Sequence, residues 1–325
     1  MNKLKELLFL KNIKGVGKAK IYKTFWNVLN ELSDLDDFCS ELEYKFKIPY
    51  NNLEEAKYKA EAIYDSIINS PDIHVITVFD EEYPNQLDVM GNQKPLFLYV
   101  KGNLDALSKP NIAFIGTRNP SPLSERFEDD LVRKIVNKTD RVVVSGLALG
   151  CDRIAHQATV DEDRITIAIL PSGVDVIKPA NNKELAMEII EKGGCLVSEY
   201  EPNETAHKHT YVQRDQIVAA FSDATFVVEC GIGSGTMHTV DAAFNYYKPI
   251  FAYLPDEIPQ NSFDGNVDIL ENKIGSIKVN DADEFVMNSD NLINEYGHHN
   301  SKNEENRLEK DVLKSGSKQQ TLDFF

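Results

Sequence analysis

Positive charge is scarce in this sequence. Its 35 lysines and arginines face 52 aspartates and glutamates, a formal net charge of −17. That total excludes a uniformly basic surface that holds polyanions through bulk electrostatics alone. It leaves local charge open, because potentials are screened over roughly 8–10 Å. A locally basic stretch does lie at the N-terminus, where Lys3, Lys5, Lys11, Lys14, Lys18, Lys20 and Lys23 face only Glu6. Cysteine is sparse as well. Cys39, Cys151, Cys195 and Cys230 are far apart and form no CxxC pair, so neither a zinc site nor a disulfide framework is expected. The last three sit in or beside apolar runs and read as buried free thiols. No apolar run approaches the roughly 20 residues of a membrane-spanning helix. The apolar patch in MNKLKELLFLKN is too short for a secretory core, so a cytoplasmic chain without membrane contact is expected. GxxxxGK[ST] is absent, which disfavours a nucleoside-triphosphate loop, and the GxGxxG spacing is missing at the first strand of the α/β pattern.

What is present is enough apolar material for a core, 42% of residues, in a length suited to about two domains. Residues 1–68 read as helical, with Leu4, Leu7, Leu8 and Phe25, Trp26, Leu29 at helical spacing. IHVITVF and LFLYV then introduce β-rich texture. From Asn111 a regular alternation begins. NIAFIG, RVVVSG, ITIAIL, CLVSE, ATFVVEC and PIFAYL are short, continuously apolar runs, separated by helical patterns such as ERFEDDLVRKIVNK, NNKELAMEIIEKG and MHTVDAAFNYY. This is the pattern of a doubly wound, mostly parallel α/β sheet covered on both faces. The expected organisation is a helical unit over 1–68, a Rossmann-like unit over 69–288 and a polar tail over 289–325. A last helix is expected over ADEFVMNSDNLINEY.

Three loops follow predicted strands and precede helix starts: Gly116-Thr117-Arg118, Ser145 to Asp152, and Gly231-Ile232-Gly233-Ser234-Gly235-Thr236. Unpaired amides and the positive end of the helix dipole make such turns anion sites. They lie at the carboxyl edge of the sheet, where open α/β sheets bind ligands. Asp152 and His156, one helical turn apart, admit an acid–base reading. A cap with a histidine behind the loop is favoured, because no nucleophile is paired with them. His207 and His209 flank Lys208 without completing a metal set, and His298-His299 reads as solvated tail. No metal or cofactor is expected.

The ordered set IAFIGTR, SGLALGCDRIAHQAT, TIAILPSGVD, a Pro-Ala-Asn-Asn turn, LVSEY, YVQRDQIVAAFSDATFVVEC, GSGTMHTVDAA and PIFAYLP resembles the DprA/Smf DNA-processing family, part of the LOG/DprA Rossmann-like superfamily. DEEYPNQL and KPLFLYVKGNLD resemble that family's entry to its Rossmann domain, and LKNIKGVGKAK is similar to its leading helix-hairpin-helix (SAM-like) domain. The resemblance covers roughly residues 1–255. It implies a non-enzymatic protein that binds single-stranded DNA and loads a RecA-type recombinase in natural transformation and recombination, with a tendency to homodimerise. It places Arg118 at the family's phosphate-pairing arginine and Tyr211 at its base-stacking aromatic. Lys208 falls at a nearby lysine, and Arg214 at the first arginine of Arg-Asn-Arg. The implied DNA site therefore comprises Arg118, Lys208, Tyr211 and Arg214 with Gly116, Gly146, Ser234, Gly235 and Thr236. Cations beside an aromatic platform suit single strands on chemical grounds too. Two departures stand out: Arg214-Asp215-Gln216 replaces Arg-Asn-Arg, and the family's C-terminal winged helix gives way to the polar tail.

Other readings remain open. The turn of Gly15, Gly17 and Lys18 either holds a phosphate or is a helix–helix turn with a solvated basic face. The end Gln319-Gln320-Thr321-Leu322-Asp323-Phe324-Phe325 resembles the Gln-x-x-Leu-x-Phe motif that docks on the replication sliding clamp, with Gln319, Leu322, Phe324 and Phe325 as its contacts. The other reading has that end folding back on the Rossmann unit. The rival function is a LOG-like nucleotide sensor or phosphoribohydrolase relative, with phage defence as a setting. In GIGSGTMHTVD, however, Thr239 stands where the catalytic glutamate would be and Asp241 comes two positions late.

Overall fold

A computed structural model describes residues 3–31, 35–259 and 263–295. The chain opens with helices α1 (Leu4–Asn12), α2 (Lys18–Lys20), α3 (Trp26–Glu31), α4 (Leu35–Phe46) and α5 (Tyr50–Ile68), with a π-helical turn over Ile21–Phe25 between α2 and α3. α1 buries Leu4, Leu7, Leu8, Phe9 and Leu10, while α5 presents Leu53, Ala56, Ala60 and Ile67. These helices do not stand apart from the sheet. Their apolar cluster is continuous with Leu96, Phe97 and Tyr99, and the Trp26 ring stacks on Phe79 with centroids 4.7 Å apart.

The remainder follows the expected alternation: β1 (His74–Thr77), β2 (Phe97–Gly102), β3 (Asn111–Ile115), α6 (Pro122–Lys138), β4 (Val142–Ser145), α7 (Cys151–Asp161), β5 (Thr166–Ile169), α8 (Lys183–Glu191), β6 (Cys195–Ser198), α9 (Lys208–Phe221), β7 (Thr225–Val227), α10 (Thr236–Asn245), β8 (Ile250–Tyr253), α11 (Asp264–Asn272) and β9 (Ile277–Val279). One nine-stranded sheet has the order β1-β2-β6-β5-β4-β3-β7-β8-β9. β6 through β9 in that order pair in parallel, and β2 and β1 add antiparallel at one edge. β3 to β6 wind outward on one side of β3 and β7 to β9 on the other. The order therefore reverses between β3 and β7, which opens a crevice at their carboxyl ends. No helix among the described residues is long and apolar enough to cross a membrane.

Both sheet faces are covered. α9 and α10 bury Ile217, Val218, Phe221, Val240 and Ala243 on one, and α6 and α7 bury Leu131, Val132, Ile135, Ala155 and Ala158 on the other. A final helix over 282–295 adds Phe285, Val286 and Ile293 to the second face. Arg141 Nε reaches Asp290 Oδ1 at 2.7 Å. Packing thus runs past the expected boundary at 288, because Ile293 still has core to join. Cys151, Cys195 and Cys230 are buried free thiols, as their apolar settings indicate. Gln319, Leu322, Phe324 and Phe325 lie outside the described residues.

α6 begins as its sequence dictates. Ser121 accepts from the Ser124 amide, and Pro122 occupies the first turn, where its missing N–H costs nothing. Its buried stripe of Ser124, Glu128, Leu131, Val132, Ile135 and Val136 contains one anomaly. Glu128 is fully buried, and the only donor beside its carboxylate among the described residues is the Cys151 thiol, which is poorly aligned with it. Desolvation lifts its pKa well above the ordinary carboxylate value. The folded chain therefore holds this proton more tightly than the unfolded chain. The linked stability is complete below the unfolded glutamate pKa and is lost as pH rises towards the folded one. Glu128→Gln, neutral at every pH, is expected to raise Tm at pH 8 by a few degrees, at roughly 2–4 °C per kcal/mol recovered. The gain should shrink towards pH 5. A Tm difference independent of pH in paired thermal melts contradicts this assignment.

Candidate functional site

At the crevice between β3 and β7 lies a cleft of about 680 Å³. It gathers all the residues expected of the Rossmann-unit site: Gly116, Arg118, Gly146, Lys208, Tyr211, Arg214, Ser234, Gly235 and Thr236. Three strand-end loops supply its floor and one face of α9 its wall. On that face Lys208, Tyr211, Val212, Asp215 and Val218 recur at helical spacing. Burial deepens along the stripe, from exposed Lys208 through half-buried Tyr211 to Val218 at 1% exposure.

Two of the three cations expected to meet a ligand, Arg118 and Lys208, are accessible. Arg118 is exposed, with its guanidinium carbon 5.8 Å from the Tyr211 ring centroid. The pair forms a cation–π contact at the cleft mouth. The loop that carries Arg118 is fixed from behind. Thr117 N donates to the Glu229 carbonyl at 2.7 Å, and Glu229 Oε2 accepts from Ser121 N and Oγ at 2.9 and 2.7 Å. Thr236 Oγ1 donates to the Gly116 carbonyl at 3.0 Å, tying the start of α10 to β3. Ser234 Oγ is buried, lines the cleft and has no hydrogen-bond partner among the described residues.

Arg214 behaves differently from expectation. It is 6% exposed, and its guanidinium occupies the space beside Gly146 that a side chain there would need. A Cβ on Gly146 would lie 1.0 Å from Arg214 Nη1. Arg214 Nη1 lies 3.6 Å from Asp152 Oδ2 and Nε 3.2 Å from Asp215 Oδ1. Arg214 is thus a positioning residue of the cleft floor rather than a free cation of the groove, because its charge is spent on two carboxylates. Asp152 is likewise structural, though it is not the residue that caps α7. Its Oδ2 accepts from the amides of Gly146 and Ala148 at 3.1 and 3.2 Å, folding the loop onto the helix start. The cap position is Gly150, whose φ of +73° and contact with the Arg118 backbone leave no room for a Cβ. His156 sits fully buried behind the loop, with Nδ1 2.8 Å from Thr166 Oγ1, and burial depresses its pKa to about 3. It is neutral and out of reach of the cleft.

Some contributors were not singled out in the sequence. Asn182, in the Pro-Ala-Asn-Asn turn, is fully buried and donates Nδ2 to the carbonyls of Leu147 and Ala148 at 2.9 and 3.0 Å. Leu147, held between these bonds, adopts φ +55°. A side cleft of about 180 Å³ runs past Tyr211 to Lys178, Pro179 and half-exposed Leu149. Asp215 faces the main cleft, and desolvation, opposed by Arg214, pushes its pKa up to about 6. The helix-turn residues lie elsewhere. Gly15 takes φ +80° at the turn, but Lys18 Nζ is 2.6 Å from Glu199 Oε2, a bond that ties α2 to the end of β6. Among the described residues, no cluster of histidine, cysteine and acidic side chains has metal-binding geometry.

A family model described as DNA recombination-mediator protein A matches residues 74–290. Protein Smf of Borreliella burgdorferi is 28% identical over 249 residues, covering 75% of this chain and 76% of its own length. Protein Smf of Escherichia coli is 30% identical, covering 68% of this chain but 58% of its own length. The DNA processing protein DprA of Streptococcus pneumoniae is 32% identical over 58% of this chain and 65% of its own length. The chain thus spans from just over half to three quarters of these relatives. The X-ray structure of the Streptococcus pneumoniae protein superposes with a TM-score of 0.72 at 26% identity, over 87% of this chain and 96% of that one. DNA processing protein A from Helicobacter pylori, whose structure concerns its single-stranded DNA binding mode, gives a TM-score of 0.59 at 29% identity, over 69% and 97%.

Asp152→Ala removes the acceptor of two loop amides and one of the two carboxylates that pair the Arg214 guanidinium. Breaking a buried pair on one side costs about 3–5 kcal/mol, so a Tm loss of roughly 6–20 °C is expected. A loss under about 2 °C would show that the loop does not depend on this carboxylate.

Proposed function

The chain belongs to the DNA recombination-mediator protein A family, and on that footing we propose that it binds single-stranded DNA in the cleft and presents it to a RecA-type recombinase. The proposed setting is cytoplasmic DNA processing, in natural transformation and recombination. The observation that carries this reading is the convergence of exposed Arg118 and Lys208 with the Tyr211 ring over strand-end loops. In this reading a base stacks on Tyr211, Arg118 and Lys208 pair with the flanking phosphates, and the amides at the start of α10 receive a phosphate oxygen. Stacking and charge together suit a single strand, whose bases are free to leave the helix axis. The negative total charge does not oppose this, since the exposed cations at the cleft mouth act within a screening length.

The reading needs no covalent chemistry. Thr239 lines the cleft but carries a hydroxyl where a hydrolase needs a carboxylate, and it is buried at 3% exposure, while Asp241 is held by Lys273 at 2.6 Å and is not among the lining residues, so neither supports a phosphoribohydrolase role. Homodimerisation through the Rossmann unit belongs to the proposal by family likeness. Docking of Gln319, Leu322, Phe324 and Phe325 on the sliding clamp belongs to it by motif resemblance, and would tether the cleft to replication or repair machinery. Lys18, engaged by Glu199, supports an architectural role for the N-terminal turn more than a phosphate-binding one.

Arg118→Ala and Tyr211→Ala are each expected to weaken binding of a single-stranded oligonucleotide, roughly 5- to 150-fold for the lost stacking partner. Electrophoretic mobility at two salt concentrations, against a duplex control, reads this out. Unchanged single-strand affinity in both variants places the site elsewhere. A peptide of residues 315–325 is expected to bind the clamp in the micromolar range. Absence of binding by calorimetry at high micromolar concentration removes the tether from the proposal.

A further inference from the structure

A cleft that only held phosphates would have no use for a carboxylate with unused lone pairs in its wall. Two carboxylates face this one, Asp152 and Asp215, and they differ in how far they are occupied. Asp152 Oδ2 takes two backbone amides and lies 3.6 Å from Arg214. Asp215 has one ion pair among the described residues, Arg214 Nε to Oδ1 at 3.2 Å, and that Nε lacks hydrogen-bond geometry to any acceptor. Its side chain is 17% exposed, towards the cleft.

Position gives this spare acceptor a partner. Asp215 follows Tyr211 by four residues on α9, so both share one face, separated by about 6 Å along the helix axis. Lys208 lies one turn before Tyr211, at the mouth. In the proposed pose a base stacks on Tyr211 with its phosphates drawn to Lys208 and Arg118 at the mouth, and its free edge is placed down the helix towards Asp215. We infer that Asp215 reads the edge of the stacked base and selects guanine. An ionised carboxylate only accepts hydrogen bonds, and two adjacent oxygens match two adjacent donors. Guanine alone offers such a pair, N1–H beside the N2 amino group. Adenine and cytosine set an amino donor beside a ring-nitrogen lone pair, and thymine sets its single N3–H between two carbonyls, so each turns a lone pair towards the carboxylate.

This selectivity rests on the single-strand reading, and the test separates the two. Fluorescence anisotropy compares oligo-dT of one length carrying a single central guanine, hypoxanthine or adenine, so that no guanine run folds on itself. The wild-type protein is expected to bind in the order guanine, hypoxanthine, adenine, with guanine over adenine by roughly 5- to 150-fold, as for a bidentate base contact. In Asp215→Asn, which puts a donor where an acceptor was, that ratio is expected to fall below about 3-fold. A merely structural role would move all oligonucleotides together. Guanine and adenine binding alike to the wild-type protein overturns base selection and leaves the single-strand reading intact, as does an unchanged ratio in Asp215→Asn. Failure of every oligonucleotide to bind overturns both. The comparison of guanine with hypoxanthine on the wild-type protein stands even if the variant does not fold.

Discussion

A guanidinium stands where a side chain would otherwise be. Arg214 reaches from α9 into the space beside Gly146, and Asp152 holds both its charge and the amides of the loop it rests against. The arrangement links α9, the β4–α7 loop and the start of α7, three elements far apart in sequence, through one buried charge set. A buried cation is costly unless paired, and here the pairing also satisfies loop amides that would otherwise be orphaned. Tyr211 and Lys208 stand on the same helix as Arg214, and the backbone of Arg118 packs against Gly150 at the end of the same loop. Glu229 and Asn182 extend the same device, each spending polar atoms on the backbone of an adjacent loop.

The acidity of the whole molecule and the cationic mouth of its cleft are compatible because charge here is local. Many surface lysines and arginines are neutralised where they stand: Arg133 by Asp129, Asp161 and Glu162, Lys134 by Asp130 and Asp283, Lys273 by Asp241. Arg118 sits instead over an aromatic face, and the charge of Asp215 in the cleft wall is offset by Arg214 at 3.2 Å.

The helical N-terminus is joined to the sheet by chemistry that its sequence does not advertise. Lys11 and Lys18 lie 2.8 and 2.6 Å from Glu201 and Glu199, and the Trp26–Phe79 stack closes the same seam. Part of the basic excess that distinguished this stretch is therefore spent inside the molecule, beside the acidic end of β6.

The doubly wound sheet was legible in the sequence because parallel strands buried on both faces must be continuously apolar, and the runs from NIAFI to PIFAY are. The loops of the site were legible for a related reason: tight turns from strand to helix demand glycine, and their order matched a known family. The roles of individual residues were not. Arg214 and Arg118 look equivalent as arginines, and only the fold shows one buried between two aspartates and the other exposed over a ring. For Lys18 the sequence left a phosphate ligand and a solvated basic turn equally open, and the fold brings to it Glu199, 181 positions away. Sequence pattern determines which faces are apolar and where the chain turns, since these are local properties of neighbouring residues. Which charges remain free for a ligand depends on pairings between distant segments, and those exist only once the chain has folded.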